Sequence, residues 1–296
     1  MAIKNLKLNL KPQLGKLEVF TRKITLESLS GGYRGILRGK GMEFDGYKTY
    51  SSSVDDASTI DWKASLKCGE LLVKDYMAEH AITVFFLVDV SNSMLFASVD
   101  KLKAEYAAEL VASLAWPVVQ AGNAIGIGMF TDKMVTLVPP FMGAKQFYAI
   151  TKVLSDPNLY GGNIDYEKVF KFISGYLKKN TLIVLITDFI GLKGRWEKEF
   201  KMLAQKFDLI PIMVRDPRDQ KIPDDIGLVV IEDPYSKQQI VIDSKHDAQE
   251  YERISGEQER KITGIIQRNA LSLLSLTTDK PFLHQVLNYF LRRRNM

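Results

Sequence analysis

Thr83-Val84-Phe85-Phe86-Leu87-Val88-Asp89-Val90-Ser91-Asn92-Ser93-Met94 decides the fold, because an apolar run ends there abruptly in Asp-x-Ser-x-Ser. The run falls far short of the roughly 18 apolar residues of a spanning helix. Its length and its β-branched and aromatic content predict a strand covered on both faces, as in a parallel sheet. Ligands of open α/β sheets bind at the carboxyl ends of such strands. In an extended turn, residues two apart project the same way, so Asp89, Ser91 and Ser93 offer one carboxylate and two hydroxyls to a common point. That oxygen set suits a hard divalent cation, Mg²⁺ first, with Mn²⁺ and Ca²⁺ as alternatives.

A second run of the same kind, Leu182-Ile183-Val184-Leu185-Ile186-Thr187, ends in Asp188. Between the two lies the loop Gly161-Gly162-Asn163-Ile164-Asp165. From residue 81 onward the pattern predicts strands at 82–88, 125–130, 134–138, 182–187, 209–214 and 271–277. Helices are predicted at about 101–120, 144–154, 166–178, 195–207, 248–268 and 282–293. Repeated β-then-α order implies right-handed crossovers and an α/β fold with a doubly wound, mostly parallel sheet. A hairpin insertion is expected at about 217–245, with strands 227–232 and 239–243.

Residues 1–80 read as a separate β-rich N-terminal region, and 81–296 as the sheet domain. Within the front region a strand is expected at 15–21, with turns or bulges at 31–35 and 39–41. Trp62 is expected to bury its ring between the two regions while Asp61 satisfies nearby backbone donors, with a partner-facing surface as the alternative for this segment. Asp75 and Glu79, four apart, suggest a solvated face of a helix or extended lead-in. Met94-Leu95-Phe96 is either an apolar rim beside the loop or plain core.

Composition narrows the chemistry. The 296 residues are 46% hydrophobic and 25% charged, which is ordinary globular usage. A single cysteine, Cys68, excludes an intramolecular disulfide, and the scattered His80, His246 and His284 build no typical structural zinc site. The net charge of +5 is concentrated towards the two ends, as in Arg292-Arg293-Arg294, which favours solvation over specific nucleic-acid binding. No transmembrane helix and no apolar signal core is evident, so the expected location is the cytoplasm. Around Gly39-Lys40-Gly41 the Walker spacing is not met, which disfavours autonomous ATP hydrolysis.

Residues 89–93, the Gly161-Gly162 loop and Thr187-Asp188 together resemble the metal-ion-dependent adhesion site of von Willebrand factor A domains. The resemblance implies that the Ser91 and Ser93 hydroxyls ligate Mg²⁺ directly, that a loop residue adds a ligand, and that the later aspartate acts through water. Asn163 stands where that family places a threonine. The implied metal residues are Asp89, Ser91, Ser93, Asn163 and Asp188.

A narrower resemblance spans nearly the whole chain. Gly39-x-Gly41-x-Glu43-Phe44, Tyr50, Asp55-Asp56, Ile60-Asp61-Trp62-Lys63 and Leu72-Val73-Lys74 precede the metal motif, and Asp216-Pro217, Pro223, Asp243 and Thr277-Thr278-Asp279-Lys280-Pro281-Phe282 come after it. These are similar to the family called domain of unknown function fifty-eight. Val54, Ser58, Lys48 and Lys67 depart from its usual residues, and a lysine cannot reproduce the bidentate fork of an arginine. The resemblance implies a partner of the MoxR-type AAA+ ATPase class and a role in protein-complex maturation or chaperoning. The expected function is therefore a non-enzymatic interaction module, in which an acidic residue of the partner completes the metal site. One competitor is a Mg²⁺-dependent phosphoester hydrolase using Asp89, Asp165 and Asp188, although no histidine or evident general base accompanies them. The other is a scaffold that holds no metal.

Overall fold

The computed structural model describes residues 38–52, 55–77, 82–223 and 226–294. The strand expected at 15–21 and the turn at 31–35 lie outside the described residues. Two compact units emerge, one of Ser30–Ala81 and one containing Ile82–Met296.

In the smaller unit, β1 (Arg38–Thr49) pairs antiparallel with β2 (Leu72–Met77). Arg38 and Glu43 both register against Met77, so Gly39 and Gly41 belong to a strand irregularity rather than a turn. Helix α1 (Trp62–Cys68) lies between the strands in sequence. Asp61 caps it, its Oδ1 accepting from the backbone N–H of Lys63 and of Ala64, both at 3.1 Å. The expectation for Asp61 therefore holds, and Trp62 is 62% exposed. Ser65 sets the buried face of α1 instead. Its hydroxyl donates to the Asp61 carbonyl at 2.8 Å and accepts from Leu72 N–H at 2.9 Å. Asp75 lies in β2, the extended alternative, and Glu79 lies outside the described residues.

The larger unit is a doubly wound α/β sheet of order β10-β7-β6-β3-β4-β5. In chain order its parts are β3 (Thr83–Asp89), α2 (Lys103–Gln120), β4 (Ala124–Phe130), β5 (Met134–Phe141), α3 (Ala144–Leu154), α4 (Tyr166–Tyr176), β6 (Thr181–Thr187), α5 (Trp196–Lys206) and β7 (Asp208–Arg215). Next come α6 (Pro217–Gln220), the hairpin β8 (Leu228–Glu232) and β9 (Gln239–Asp243), α7 (Ser244–Arg268), β10 (Leu274–Thr277) and α8 (Leu283–Arg294). All neighbours in the main sheet are parallel except β4 and β5, and β8 with β9 forms a separate two-stranded sheet. Helix α7 starts four residues before the expected 248, because the Asp243 carboxylate accepts from Lys245 N–H at 3.0 Å and so caps an earlier turn.

β3 is central and feeds two cores by strict alternation. Val84, Phe86 and Val88 pack with Leu110 and Leu114 of α2, while Phe85 and Leu87 join Phe170 of α4 and Phe200 of α5 on the opposite face. Burying each such side chain contributes about 1.5–3 kcal/mol. β4 makes room for Phe85 with small residues: a Cβ on Gly128 would stand 3.1 Å from Phe85 Cζ and 2.6 Å from Met134 Cε.

At the sheet edge, β5 carries Pro139-Pro140, and its register with β4 shifts between Ile125 and Ile127. Prolines have no N–H to give the ladder. Gln146, on the first turn of α3, replaces the missing donor, its Nε2 reaching the Ile125 carbonyl at 3.0 Å and the Pro139 carbonyl at 2.6 Å.

Candidate metal centre

The strand order places a topological switch point between β3 and β6, since the chain leaves β3 towards β4 on one side and returns through β6 on the other. Val88 registers against Ile186, so Asp89 emerges opposite Thr187, with Asp188 one residue beyond. Both aspartates are fully buried. Ser91 and Ser93, on the tight turn after β3, are buried too, and their Oγ atoms lie 3.3 Å apart. Two oxygens bound side by side to Mg²⁺ at roughly 2.1 Å lie about 3 Å apart, so this spacing fits a pair of neighbouring ligands.

Asp89 is held by neutral donors. Its Oδ1 accepts from Ser91 N–H at 2.9 Å; its Oδ2 accepts from the Thr187 hydroxyl at 2.6 Å and the Tyr166 hydroxyl at 3.2 Å. Burial, then the charge of Asp188, pushes the Asp89 carboxyl up to about 6 despite those bonds. A buried carboxylate in this condition matches a site built to receive positive charge, and on donor chemistry and spacing the residues present fit a divalent cation.

Asp188 is different. Lys103, the first residue of α2 and itself fully buried, places Nζ 2.8 Å from Asp188 Oδ2 and 2.7 Å from Asp219 Oδ2. Burial works to raise the Asp188 carboxyl, but Lys103 and then Arg215 outweigh it and hold the group below the usual carboxylate range. Burial likewise opposes the Lys103 charge, and Asp188 and Asp219 overcome it, raising the ammonium above its ordinary value. Asp219 also accepts from Asp216 N–H at 3.0 Å, which ties the short helix α6 to the pair. Immediately after Asp188, Phe189 is buried with φ +54, a left-handed conformation that a bulky residue holds only under tertiary constraint.

The glycine loop converges on the same turn. Asn92 N–H donates to the Gly162 carbonyl at 2.9 Å, Gly162 N–H donates back to Asn92 Oδ1 at 2.8 Å, and Gly161 N–H reaches the Val90 carbonyl at 2.7 Å. Asn163 comes next in the chain and is exposed, whereas Asp89, Ser91 and Ser93 are buried. Asp165 caps α4 and pairs with Lys168 at 2.9 Å. Of the Met94-Leu95-Phe96 segment, Met94 is core and Phe96 is exposed, so both readings apply to part of it.

One residue enters from elsewhere. Tyr235, in the turn between β8 and β9, donates its hydroxyl to Ser93 Oγ at 2.9 Å and lies 3.1 Å from Ser91 Oγ. Burial, then Asp89 and Asp188, raises the phenol, which keeps it a proton donor. Sequence reasoning missed Tyr166, Lys103, Asp219 and Tyr235 and did not rank Thr187 as a site residue. For Thr187 the Thr-Asp strand ending was a usable signal. For Lys103 and Tyr235 only tertiary placement separates them from other lysines and tyrosines. Among the described residues no cluster of three or more His, Cys, Asp or Glu side chains is placed to hold a metal.

With this geometry in view, the comparisons fix the family. The family described as Protein of unknown function DUF58 matches residues 46–261, and the chain belongs to it. Proteins described as uncharacterized in Mycobacterium bovis and Mycobacterium tuberculosis are each 24% identical over 271 residues, covering 90% of this chain and 84% of theirs. Among solved structures, the conserved hypothetical protein BatB from Bacteroides thetaiotaomicron covers 73% of this chain and 100% of its own, at 16% identity and a TM-score of 0.46. An aerotolerance-related membrane protein from Bacteroides fragilis covers 73% and 99%, at 15% identity and a TM-score of 0.44. Among the described residues of this chain, no helix is long and apolar enough to cross a membrane.

Proposed function

We propose that this chain is a non-enzymatic, metal-ion-dependent interaction module of von Willebrand factor A type. Its proposed partner is a MoxR-type AAA+ ATPase, in cytoplasmic protein-complex maturation or chaperoning. The observation that carries the metal dependence is the meeting of the buried Ser91 and Ser93 hydroxyls beside Asp89 at the switch point of the sheet. The ATPase rests on the family resemblance. Ser91 and Ser93 would hold the cation directly, with Asp89 and Asp188 behind them and Asn163 at the rim. A bound Mg²⁺ supplies a positive charge with an open position, suited to a carboxylate oxygen of the partner. Because Lys103 already balances Asp188, Asp89 is the carboxylate whose charge such an ion offsets.

The hydrolase alternative asks Asp188 or Asp165 to act as general base. At Asp165 burial tends to raise the carboxyl, but Lys168 outweighs it, so both groups sit below the usual range and make weak bases.

Thermal unfolding with chelator and with titrated Mg²⁺ tests the proposal. Asp89→Asn is the suitable variant, since Asp89 is buried under three donors and truncation to alanine would strand them. At a hundredfold excess of Mg²⁺ over its dissociation constant, wild type should gain about 2.7 kcal/mol and the variant almost none. An equal shift in both would sink the metal assignment, and no shift in either would favour the metal-free scaffold. Binding of a purified MoxR-type ATPase in Mg²⁺, lost in chelator, tests the partner.

A further inference from the structure

We infer that the β8–β9 hairpin is a built-in cap of this site, with the Tyr235 hydroxyl occupying serine oxygens that a cation must have free. The inference rests on the metal-site reading above and concerns its regulation.

The tip of the hairpin is fastened to the ligand loops at three places. Tyr235 O–H donates to Ser93 Oγ at 2.9 Å and lies 3.1 Å from Ser91 Oγ. The Asn92 side chain donates to the Pro234 carbonyl at 3.2 Å while its own oxygen holds Gly162, so one amide joins cap and glycine loop. The Tyr235 ring lies against Gly191 so closely that a Cβ there would stand 2.6 Å from its Cε2. The turn itself is preset, since Asp233 Oδ1 accepts from the N–H groups of Tyr235 and Ser236 at 2.8 and 2.9 Å.

Beyond the tip, the anchorage is thin. Leu228, Val230, Ile240 and Val241 are all more than half exposed, Val229, Ile231 and Ile242 are only half-buried, and among the described residues the two strands pair with each other alone. An element with little buried apolar area and a few polar contacts at one end opens at low cost. The chemistry sets cap and cation in competition. A serine oxygen has two lone pairs, and in the capped arrangement one on Ser93 accepts from the phenol. Capping therefore weakens that oxygen as a direct ligand, and opening restores it.

The test is Mn²⁺ binding, read by electron paramagnetic resonance of the free ion, to full-length wild type, Tyr235→Phe and Tyr235→Ala. Amide hydrogen exchange across residues 228–243 accompanies it, with and without saturating Mn²⁺. Loss of one hydrogen bond's competition should tighten binding about fivefold in Tyr235→Phe and at least as much in Tyr235→Ala. Exchange in the wild-type hairpin should quicken when Mn²⁺ binds. If wild type binds Mn²⁺ and Tyr235→Phe binds it equally well or less tightly, the cap is overturned while the metal site stands. Binding by none of the three proteins would remove the metal site itself and the cap with it. Should Tyr235→Ala fail to fold, Tyr235→Phe decides, because it deletes only the hydroxyl.

Discussion

β3 and β6 are adjacent parallel strands, each ending at a fully buried aspartate, yet the two carboxyls live in opposite conditions. Asp188 has its counterion built in, as Lys103 from α2, with Arg215 behind it. Asp89 has neutral donors, among them the Ser91 N–H and the Thr187 and Tyr166 hydroxyls, and burial pushes its carboxyl up to about 6. The same residue type at nearly the same height in one sheet thus does two jobs. One aspartate fixes the architecture by locking two helices to a strand end. The other keeps an unmet demand for positive charge at the mouth of the switch point.

The largest expected effect comes from removing the built-in counterion. Lys103→Met leaves Asp188 and Asp219 buried without their shared cation and should cost about 3–5 kcal/mol in urea unfolding. A variant as stable as wild type would erase the contrast between the two aspartates.

Next is the pH dependence of Asp89 in chelator. Its folded value lies above the unfolded 3.8, so the folded state binds the extra proton. The stability this provides is fully present below about pH 4 and lost as pH rises through about 6. The loss is on the order of 3 kcal/mol at 1.36 kcal/mol per unit. Asp188 has the opposite sign, its contribution disappearing only at lower pH. The difference between wild type and Asp89→Asn across pH 4–8 isolates the first group, and a flat difference would contradict it.

A smaller effect is expected at Gly191, where φ is +77 and the Tyr235 ring leaves no room for a Cβ. Gly191→Ala should cost about 1–2 kcal/mol and loosen the hairpin tip without deleting any hydroxyl of the cluster. Amide exchange within residues 228–243 reads that loosening. Smallest of all, Lys168→Ala removes a partner of Asp165 that lies out in solvent, and the unfolding midpoint should not move measurably.

Much of this fold was legible in the sequence wherever one periodicity dominated. The runs ending at Asp89 and Thr187 are apolar at every position, so no register could expose them, and the α/β alternation left little freedom in ordering the layers. Asp89, Ser91 and Ser93 were legible for the same reason: a buried strand delivers the residues after its end into the crevice. The buried face of α1 was not legible, because the Ser65 hydroxyl, tethered to both Asp61 and Leu72, sets it and no apolar residue marks it. Lys103 was invisible since a lysine opening a helix runs against the helix dipole and looks like a solvated start. Only the fold brings Asp188 and Asp219 to it. Tyr235 belongs to the same class, lying 142 residues from Ser93 in the chain.

The proline pair in β5 has a consequence for how this protein meets others. Two consecutive residues without N–H groups leave a gap in the outward-facing row of donors along that margin. Gln146 repairs the inward side only. A foreign strand laid alongside would find its carbonyls unanswered at the gap, so β-augmentation is blocked there, and self-templated sheet growth of the kind that seeds aggregates is blocked by the same device.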